Sequence, residues 1–260
     1  MKVALTIAGS DSSGGAGLQA DLKTFHQHGV FGTSVVTAVT AQDSHGVRGS
    51  EPVSPALVVS QLDAVARDFP PDATKSGMLA TAQIVAAVAD RLADYALRNY
   101  VLDPVLKASS GSLLVEAGAE TTILERLFPL AALVTPNIPE AHALTGLTIH
   151  GPDDMVLAGA ALVKRGAGAA LVTGGHLEGD YVIDVLVSNH GTRRFSHPRV
   201  ATTSTHGTGC TLSAAVAAGL ALGKPLEQAI ADAIGFVERA LRTAPGLGAR
   251  DGRGPLNHFV

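Results

Sequence analysis

The sequence predicts an α/β fold with a mostly parallel central sheet that is covered by helices on both faces. Short apolar runs rich in β-branched residues alternate with longer segments of Ala and Leu, which is the pattern of βαβ units. Glycine-rich or polar segments follow several of these apolar runs, as expected where parallel strands end and ligands bind. The composition does not shift along the 260 residues, and no Pro/Ser linker or repeat interrupts them, so we expect a single domain over 1–260.

The first half of the chain alternates between predicted strands and predicted helices. Val3–Ala8 is apolar except for one threonine, as in a buried strand, and a helix is predicted after it at Ala16–His28. Further strands are predicted at Ser34–Val39, Ala73–Ser76 and Tyr100–Asp103. Further helices are predicted at Pro55–Phe69, Ala82–Leu97 and Glu120–Phe128.

The second half continues this alternation and adds a hairpin. Strands are predicted at Ala132–Thr135 and Ala169–Thr173, and helices at Asp153–Arg165, Cys210–Ala221 and Leu226–Arg242. Tyr181–Val187 and Thr192–Phe195 are predicted to pair as antiparallel strands through the turn Ser188–Gly191. We expect the Gly-rich tail Pro245–Gly254 to be frayed.

The overall charge and the cysteine count limit the class of protein. A formal net charge of −4 and the absence of a basic patch argue against a nucleic-acid partner. A single cysteine excludes a disulfide within the chain and fits a reducing compartment. The apolar run at the start of the chain is too short for a signal peptide, and the patterning favours no membrane span. We therefore expect a cytoplasmic protein with a small-molecule partner and no membrane partner.

A long glycine-rich loop follows the first predicted strand. It includes Gly15-x-Gly17-x-x-Ala20, which matches the dinucleotide-binding pattern weakly because six residues separate it from the strand end. Asp43 is available as the ribose-binding acid of that interpretation. A loop that simply caps the following helix is the plainer alternative. We favour a small-molecule pocket in which the glycines let the backbone approach a ligand ring.

Polar side chains also follow three later strands, and each has two interpretations. Gln42 suits the edge of a polar heterocycle, or it is an exposed turn residue. Asp103 orients Mg²⁺ or its waters, or it starts an Asx turn before Pro104. Asn137 and Glu140 have the spacing of a helix capping box, or Glu140 lies beside phosphates through metal-bound water.

The only cysteine of the chain lies where a Gly-rich loop meets a predicted helix. The loop Gly207-Thr208-Gly209 precedes Cys210, and a helix N-terminus of this kind binds anions. A thiol at this position is expected to have its pKa lowered from about 8.5 into the range of about 3.5–7.5, which would make Cys210 a general base. The alternative is an inert, buried side chain. The ten histidines form no zinc-binding pattern.

Eight segments in order along the chain carry a family resemblance. They are TIAGSDSSGGAGLQADLKTF, TAVTAQDSHGV, KSGML, LDPVL, TPNIPEA, GGH, STHGTGCTLSAA and GPLNHF. Together they resemble the hydroxymethylpyrimidine/phosphomethylpyrimidine kinases of thiamine biosynthesis, which belong to the ribokinase-like superfamily. The resemblance extends from Leu5 to Phe259.

This resemblance implies a fold, a reaction and an assembly. The implied fold is a three-layer α/β/α ribokinase-like fold. The implied reaction transfers the γ-phosphoryl group of ATP, with Mg²⁺, to the hydroxymethyl group of 4-amino-5-hydroxymethyl-2-methylpyrimidine and then to the monophosphate. Ribokinase-like vitamin kinases are often dimers, so a homodimer is expected.

The resemblance also implies roles for individual residues. The backbone N–H groups of Gly207–Cys210 would form an anion hole, and Cys210 would accept the proton of the substrate hydroxyl. Asp21 and Gln42 would contact the edge of the aminopyrimidine. The residues implied to pack on its ring are Gly9, Ala16, Val39 and Met78. The residues implied to order Mg²⁺-ATP are Asn137 and Glu140, with Asp103 nearby, and Glu140 and Asp103 are the implied metal-binding pair.

Two departures from the family pattern bear on the second transfer. Thr173 stands where the family usually has a lysine that could contact phosphate, and Ser109 replaces a second lysine, with Lys107 displaced. A lost charge-assisted contact costs roughly 1.5–3 kcal/mol. We therefore expect the monophosphate to be a weaker substrate than the alcohol. The long, glycine-punctuated segment Ser109–Gly118 is a candidate lid.

Three other functions stay open at this point. Some relatives of the family phosphorylate pyridoxal, which is also a hydroxymethyl heteroaromatic, so a pyridoxal kinase is the nearest alternative. The Gly15–Ala20 pattern leaves an NAD(P)-binding oxidoreductase as a remote one. A ligand-binding relative without turnover is the third, because of the missing lysines.

Overall fold

The computed structural model describes residues 1–106, 114–116, 118–249 and 251–260. Within these ranges, nine strands form one sheet in the order β3-β2-β1-β4-β5-β6-β7-β8-β9. The strands are β1 (Val3–Asp11), β2 (Phe31–Asp43), β3 (Gly46–Pro52), β4 (Ala73–Ser76), β5 (Tyr100–Leu102), β6 (Leu133–Val134), β7 (Ala169–Val172), β8 (Tyr181–Ser188) and β9 (Gly191–Pro198). Lys107 and most of the candidate lid Ser109–Gly118 lie outside the described residues.

The centre of the sheet is parallel and its two margins are antiparallel. Strands β2, β1, β4, β5, β6 and β7 run parallel to one another, whereas β3 pairs antiparallel with β2. At the other margin β7, β8 and β9 are antiparallel, and the predicted hairpin is therefore confirmed. The central strands are short and fully buried, as expected for parallel strands that helices cover on both faces.

Helices cover both faces of the sheet, which confirms the three-layer α/β/α arrangement. They are α1 (Gly17–Gln27), α2 (Pro55–Asp68), α3 (Ala82–Asp94), α4 (Ala119–Thr122), α5 (Ile138–Thr145), α6 (Pro152–Lys164), α7 (Thr208–Ala221) and α8 (Leu226–Arg242). One apolar core contains residues of α2 and α3, such as Leu62 and Ile84. A second core contains residues of α1, α7 and α8, such as Phe25, Val216 and Ile234.

Helix α7 is the most deeply buried helix among the described residues, and its sequence explains why. Ten of its residues are buried, and most of them are small, so the backbone approaches the sheet and α8 closely. A Cβ at Gly219 would lie 2.8 Å from the Cβ of Ala229 in α8. This packing fixes the start of α7 relative to the strand ends.

Two predictions need correction, the helix at Glu120–Phe128 and the frayed tail, and one strand was not predicted. The segment Glu120–Phe128 is not one α-helix, because α4 continues as a π-helix over Ile123–Leu127 and a 3₁₀ turn over Phe128–Leu130, where Pro129 interrupts the regular bonding. Strand β3 was not predicted, because its residues are largely exposed and form no apolar run.

The tail Pro245–Gly254 is also not frayed in its described part. The backbone N–H groups of Ala249 and Arg253 donate to the Oγ and the carbonyl O of Ser44, at 3.0 and 2.8 Å. A Cβ at Gly252 would lie 2.6 Å from the Ser44 Oγ, so the glycines serve close packing and not flexibility.

No helix among the described residues is long and apolar enough to cross a membrane.

Candidate active site

The candidate site lies where the carboxyl ends of the central parallel strands meet the N-termini of α1, α5 and α7. The loop after β1 leads into α1, the segment after β6 leads into α5, and the loop before α7 crosses the same edge. This edge of a parallel sheet is the usual place for ligands, because strand ends and helix N-termini converge there. The residues implied by the family resemblance are distributed around it.

The first turn of α7 begins at Thr208, two residues earlier than predicted. Gly207 precedes it with φ +86°, and the N–H of Thr211 closes the first turn on the Gly207 carbonyl at 2.8 Å. The N–H groups of Gly209 and Cys210 therefore belong to the open first turn, where a helix has no internal acceptors, whereas the Thr208 N–H donates to the Thr205 carbonyl at 3.3 Å. These groups form a suitable binding site for an anion.

The loop after β1 brings the start of α1 against the start of α7. A Cβ at Gly207, just before α7, would lie 1.9 Å from the Gly15 carbonyl oxygen and 3.2 Å from the Ala16 Cα. Glycine is required at Gly17, the first residue of α1, because its φ is +56° and a Cβ would lie 2.4 Å from the Gly9 carbonyl oxygen. The loop glycines thus allow the two helix starts to approach each other closely.

The thiol of Cys210 does not have the lowered pKa that its helix position predicts. Burial raises its pKa to about 12, Lys75 opposes this shift, and the carboxylates of Asp103 and Asp21 add to it. The expectation of an acidic thiol is therefore wrong for the free protein. The helix termini and Lys75 favour the thiolate, but removal from water outweighs them.

Lys75 is the main site residue that the sequence analysis missed. It lies in β4 with no exposed surface, and its Nζ donates to both carboxylate oxygens of Asp21, at 3.0 and 2.9 Å. The Asp103 Oδ2 is 3.9 Å away. A lysine inside a four-residue buried strand was the available signal, because a buried ammonium needs a carboxylate partner.

Asp21 is fully buried beside this lysine. The hydroxyl of Thr6 donates to its Oδ2 at 2.5 Å, so both carboxylate oxygens have partners within the protein. The role of Asp21 at the edge of a substrate ring stays a prediction. Its observed contacts connect α1 to β1 and β4.

Asp103 and Glu140 are two buried carboxylates at neighbouring strand ends. The hydroxyl of Ser213, one turn into α7, donates to the Asp103 Oδ2 at 3.1 Å. Burial raises the pKa of Asp103, and burial together with the charge of Asp103 raises the pKa of Glu140 to about 8. The two groups therefore repel each other and favour a cation or protons between them.

The capping box predicted for Asn137 and Glu140 is present. The Asn137 Oδ1 accepts from the Glu140 N–H, and the Glu140 Oε2 accepts from the Asn137 N–H, both at 3.0 Å. Thr173 lies beside Asn137 in a parallel bridge, and its N–H donates to the Pro136 carbonyl at 2.9 Å. The structure thus brings together three of the residues implied to order Mg²⁺-ATP.

The residues implied to pack on the substrate ring lie in β1, in the loop after it, in β2 and just after β4. A Cβ at Gly9 would lie 2.9 Å from the Met78 sulfur, so Met78 packs against the Gly9 backbone. Val39 pairs with Ser10 across the sheet and is 56 % exposed, as a side chain facing an open pocket would be. Ala16 is the N-cap residue of α1.

Gln42 lies at the far end of this group, beside two further residues that sequence reasoning missed. Its Nε2 is 3.4 Å from the His206 Nε2, and the same imidazole nitrogen is 2.9 Å from the Asp11 Oδ2. His206 directly precedes Gly207. The contact therefore joins the predicted ring-binding side chain to the predicted anion hole.

The comparisons with known proteins agree on one family. A family model described as phosphomethylpyrimidine kinase matches residues 11–257. The chain is 46% identical over 258 residues to the hydroxymethylpyrimidine/phosphomethylpyrimidine kinase of Rhizobium meliloti, with 99% of this chain and 97% of the relative covered. It is 45% identical to the Escherichia coli protein of the same name, covering 98% of this chain and 97% of that protein.

A longer relative and two solved structures complete the comparison. The chain is 48% identical to a thiamine biosynthesis bifunctional protein of Geobacter sulfurreducens, covering 98% of this chain but spanning only 52% of that relative. The crystal structure of Bacillus subtilis pyridoxal kinase with ADP has a TM-score of 0.91 at 36% identity, covering 99% of this chain and 97% of that one. Phosphomethylpyrimidine kinase from Clostridium difficile has a TM-score of 0.83 at 39% identity, covering 93% and 100%.

Proposed function

The chain belongs to the phosphomethylpyrimidine kinase family, and on this basis we propose that it transfers the γ-phosphoryl group of ATP to the hydroxymethyl group of 4-amino-5-hydroxymethyl-2-methylpyrimidine and then to the monophosphate. One observation carries the proposal beyond the family name. The starts of α1 and α7 pack against each other at the carboxyl ends of the central strands, with Cys210 in the first turn of α7. This arrangement suits a reaction in which negative charge develops at one point.

The first turn of α7 would stabilise the transferred phosphoryl group. Phosphoryl transfer depends mainly on positioning and on charge stabilisation, so the open N–H groups at Gly209 and Cys210 would supply much of what the reaction needs. Such preorganised donors commonly contribute about 2.7–4 kcal/mol each. The loop glycines allow the phosphates to approach the backbone.

Cys210 would accept the proton of the substrate hydroxyl in its thiolate form. This form is a minor one in the free protein at neutral pH, because burial raises the pKa of the thiol to about 12. A loose transition state requires little deprotonation before transfer, so a scarce but strong base suffices. The positive charge of Lys75 would favour the thiolate when it forms.

The pyrimidine ring would lie between Met78 and the Gly9 backbone on one side and Val39 on the other. Gln42 would contact the polar edge of the ring, because its amide both donates and accepts hydrogen bonds. The Thr40 hydroxyl donates to the Gln42 Oε1 at 3.3 Å and supports the side chain in that place. The hydroxymethyl group would then face Cys210.

The residues at the strand ends fit Mg²⁺ bound together with ATP. The described residues contain no cluster of three or more metal-binding side chains, so the protein alone offers no complete cage. Mg²⁺ usually takes one or two carboxylates and completes its shell with water and phosphate oxygens. Asp103 would lie near the metal, and Glu140 would order the water molecules bound to it. Asn137 and Thr173 would lie beside the ATP phosphates. When bound, Mg²⁺ would neutralise charge on those phosphates.

Steady-state ATP consumption in the presence of Mg²⁺ tests the function. We would offer the hydroxymethylpyrimidine, its monophosphate and pyridoxal in parallel, to wild type and to Cys210→Ala. We expect turnover of the pyrimidine that collapses in the variant. No turnover of any of the three substrates would overturn the proposal.

Pyridoxal kinase is the second candidate, favoured by the TM-score of 0.91 to Bacillus subtilis pyridoxal kinase. The higher identity to curated pyrimidine kinases, 46% against 36%, favours the pyrimidine. Turnover of pyridoxal alone would reverse this order. The NAD(P)-binding interpretation was based on the glycine pattern Gly15–Ala20. It loses that basis, because Gly17 of this pattern packs closely against Gly9.

Three further properties belong to the same proposal. We propose that residues 1–260 form one domain, supported by the single sheet, and a single cooperative thermal transition would test this. We propose a homodimer without a nucleic-acid partner, which light scattering with and without added DNA would test. A working thiol must stay reduced, so we propose a cytoplasmic location, which cell fractionation would test.

A further inference from the structure

The loop between β7 and β8, residues 173–180, is held by an arginine that lies outside it. Arg199 directly follows β9, and its Nε and Nη1 donate to the carbonyls of Gly179 and Gly175, at 2.7 and 3.0 Å. Its Nη2 donates to the carbonyl of Leu177. The backbone N–H of Arg199 donates to the Asp180 carbonyl at 2.8 Å. One residue therefore binds four carbonyls of this β7–β8 loop.

The beginning of the β7–β8 loop is fixed between β8 and the strand end that carries Asn137. The Oδ1 of Asp184, a nearly buried carboxylate of β8, accepts the Gly174 N–H at 2.9 Å. A Cβ at Gly174 would lie 2.1 Å from the Ile183 carbonyl oxygen, so the loop lies directly against β8 here. The preceding residue, Thr173, forms the parallel bridge with Asn137. The conformation of the loop therefore bears on two residues that are proposed to lie beside the ATP phosphates.

The remainder of the β7–β8 loop contributes little to the core. Five of its eight residues are exposed and three are glycines, so holding it in one conformation costs much conformational entropy. A guanidinium is suited to this task, because its five N–H donors are fixed in one plane and bind several carbonyls at once. Since the loop buries little surface, the hydrogen bonds of Arg199 serve the position of the loop more than the stability of the fold.

We propose that Arg199 is a positioning residue for ATP, which holds the β7–β8 loop so that Thr173 and Asn137 lie where the ATP phosphates bind. The proposal rests on the proposed function for the part that concerns ATP. Arg199 acts through Thr173 and Asn137, because its own hydrogen bonds are to the loop carbonyls. The residues proposed to pack on the pyrimidine lie several strands away, in β1 and β2 and after β4. Loss of Arg199 should therefore weaken the binding of ATP and spare that of the pyrimidine.

The test compares two variants and a matched control. Arg199→Met removes the guanidinium and keeps an unbranched side chain. Arg199→Lys keeps the positive charge but replaces the planar set of donors with one ammonium, which cannot reproduce their geometry. The control Arg193→Met removes another exposed arginine of the same hairpin, which pairs with Glu227 of α8 and not with the loop.

The first readout is the division of the effect between the kinetic constants. We expect Arg199→Met to raise KM for ATP at least about tenfold, while KM for the pyrimidine and kcat stay within about threefold of wild type. Arg199→Lys should raise KM for ATP at least about threefold, because charge alone does not replace the guanidinium. The melting temperature of both variants should stay within about 5 °C of wild type.

The second readout needs neither substrate nor metal. Glu178 is an exposed residue of the β7–β8 loop, and a protease that cleaves after glutamate cuts there faster when the loop opens more often. Mass spectrometry of the fragments measures the rate at this bond. We expect cleavage after Glu178 to be at least about tenfold faster in Arg199→Met than in wild type, and unchanged in Arg193→Met.

The outcomes separate positioning from general damage. A selective rise in KM for ATP together with faster cleavage after Glu178, with the control unchanged, supports the proposal. Either change without the other, an equal rise in KM for both substrates, or a wild-type KM for ATP in Arg199→Lys overturns it. If Arg199→Met does not fold, the KM for ATP of Arg199→Lys decides in the same way. Wild type without turnover would instead reject the proposed function, while the cleavage rates would still test whether Arg199 holds the loop.

Discussion

The His206 Nε2 lies 2.9 Å from the Asp11 Oδ2, and this contact joins the segment before α7 to the end of β1. Asp11 is nearly buried, and its carboxylate also accepts N–H groups from Ser13 and Ala16, both at 2.8 Å. The backbone N–H of His206 donates to the Gly254 carbonyl at 3.0 Å. The imidazole and the backbone N–H of His206 thus fix the loop after β1, the anion hole and the C-terminal segment relative to one another.

We expect Asp11→Asn to lower kcat/KM for the pyrimidine by about 10- to 100-fold. The substitution removes a charge-assisted hydrogen bond worth roughly 1.5–3 kcal/mol, which holds the segment before the anion hole against the end of β1. Initial rates at varied pyrimidine concentration measure the effect. The control is Asp251→Asn, whose side chain is 85% exposed in its pair with His45 and which should leave kcat/KM near that of wild type. Equal losses in both variants would contradict a special role for Asp11.

The sequence predicted the fold well because its strongest signals are local. The short buried strands and the helices around them depend on apolar patterns, and the capping box at Asn137 depends on residues only three apart. Strand β3 was missed because exposed edge strands have no apolar pattern. The part of the candidate site that could be predicted is likewise the part that depends on local sequence, at a single strand end or a single helix start.

The rest of the site depends on contacts between distant segments. Lys75 and Asp21 are separated by 54 positions, and His206 and Asp11 by 195, so no local pattern reveals either pair. The raised pKa of Cys210 has the same origin. Helix position predicts a lower value, whereas burial among carboxylates is a tertiary property that decides the direction.

Gly207→Ala should destabilise the protein by at least about 2 kcal/mol and abolish most activity. An alanine would have to adopt φ +86°, and its Cβ would lie 1.9 Å from the Gly15 carbonyl oxygen. Gly209→Ala is the matched control, because a Cβ at Gly209 meets nothing within 4 Å. Urea unfolding of both variants gives the comparison. Similar stability of the two would show that the turn at Gly207 adapts.

Cys210→Ala should lower kcat by about 10²- to 10⁴-fold, the usual contribution of a general base. Since burial raises the thiol pKa to about 12, the thiolate fraction grows with pH throughout the neutral range. We therefore expect kcat of wild type to rise between about pH 7 and pH 9, and this rise to be absent in the variant. A plateau of kcat near neutral pH would instead indicate an acidic thiol in the enzyme–substrate complex.

Glu140→Gln should raise the melting temperature of the Mg²⁺-free protein at high pH. The pKa of Glu140 is raised to about 8 in the folded state, against about 4.3 in the unfolded chain. Folding therefore favours the protonated form, and the stability of wild type is lost as pH rises from about 4.3 to about 8. Glutamine keeps the capping bond without this charge.

The melting temperature of Glu140→Gln should equal that of wild type near pH 4 and should exceed it by about 5 °C or more at pH 8.5. Scanning calorimetry in the presence of a chelator measures this difference. Glu238→Gln, which removes a pair between a half-buried carboxylate of α8 and Arg242, is the control and should show no such growth. A difference independent of pH would mean that Glu140 is ionised without penalty.

Thr173→Lys should improve the second transfer more than the first. Thr173 lies beside Asn137, and a lysine there is expected to add one charge-assisted contact to the phosphate of the monophosphate substrate. A contact of roughly 1.5–3 kcal/mol raises kcat/KM for the anionic monophosphate by about tenfold or more. The neutral alcohol carries no phosphate of its own, so its kcat/KM should change less. Thr192→Lys, exposed in β9, controls for added charge alone. A wild type that uses both substrates equally well, or a ratio that Thr173→Lys leaves unchanged, would show that the lost lysine does not limit the second transfer.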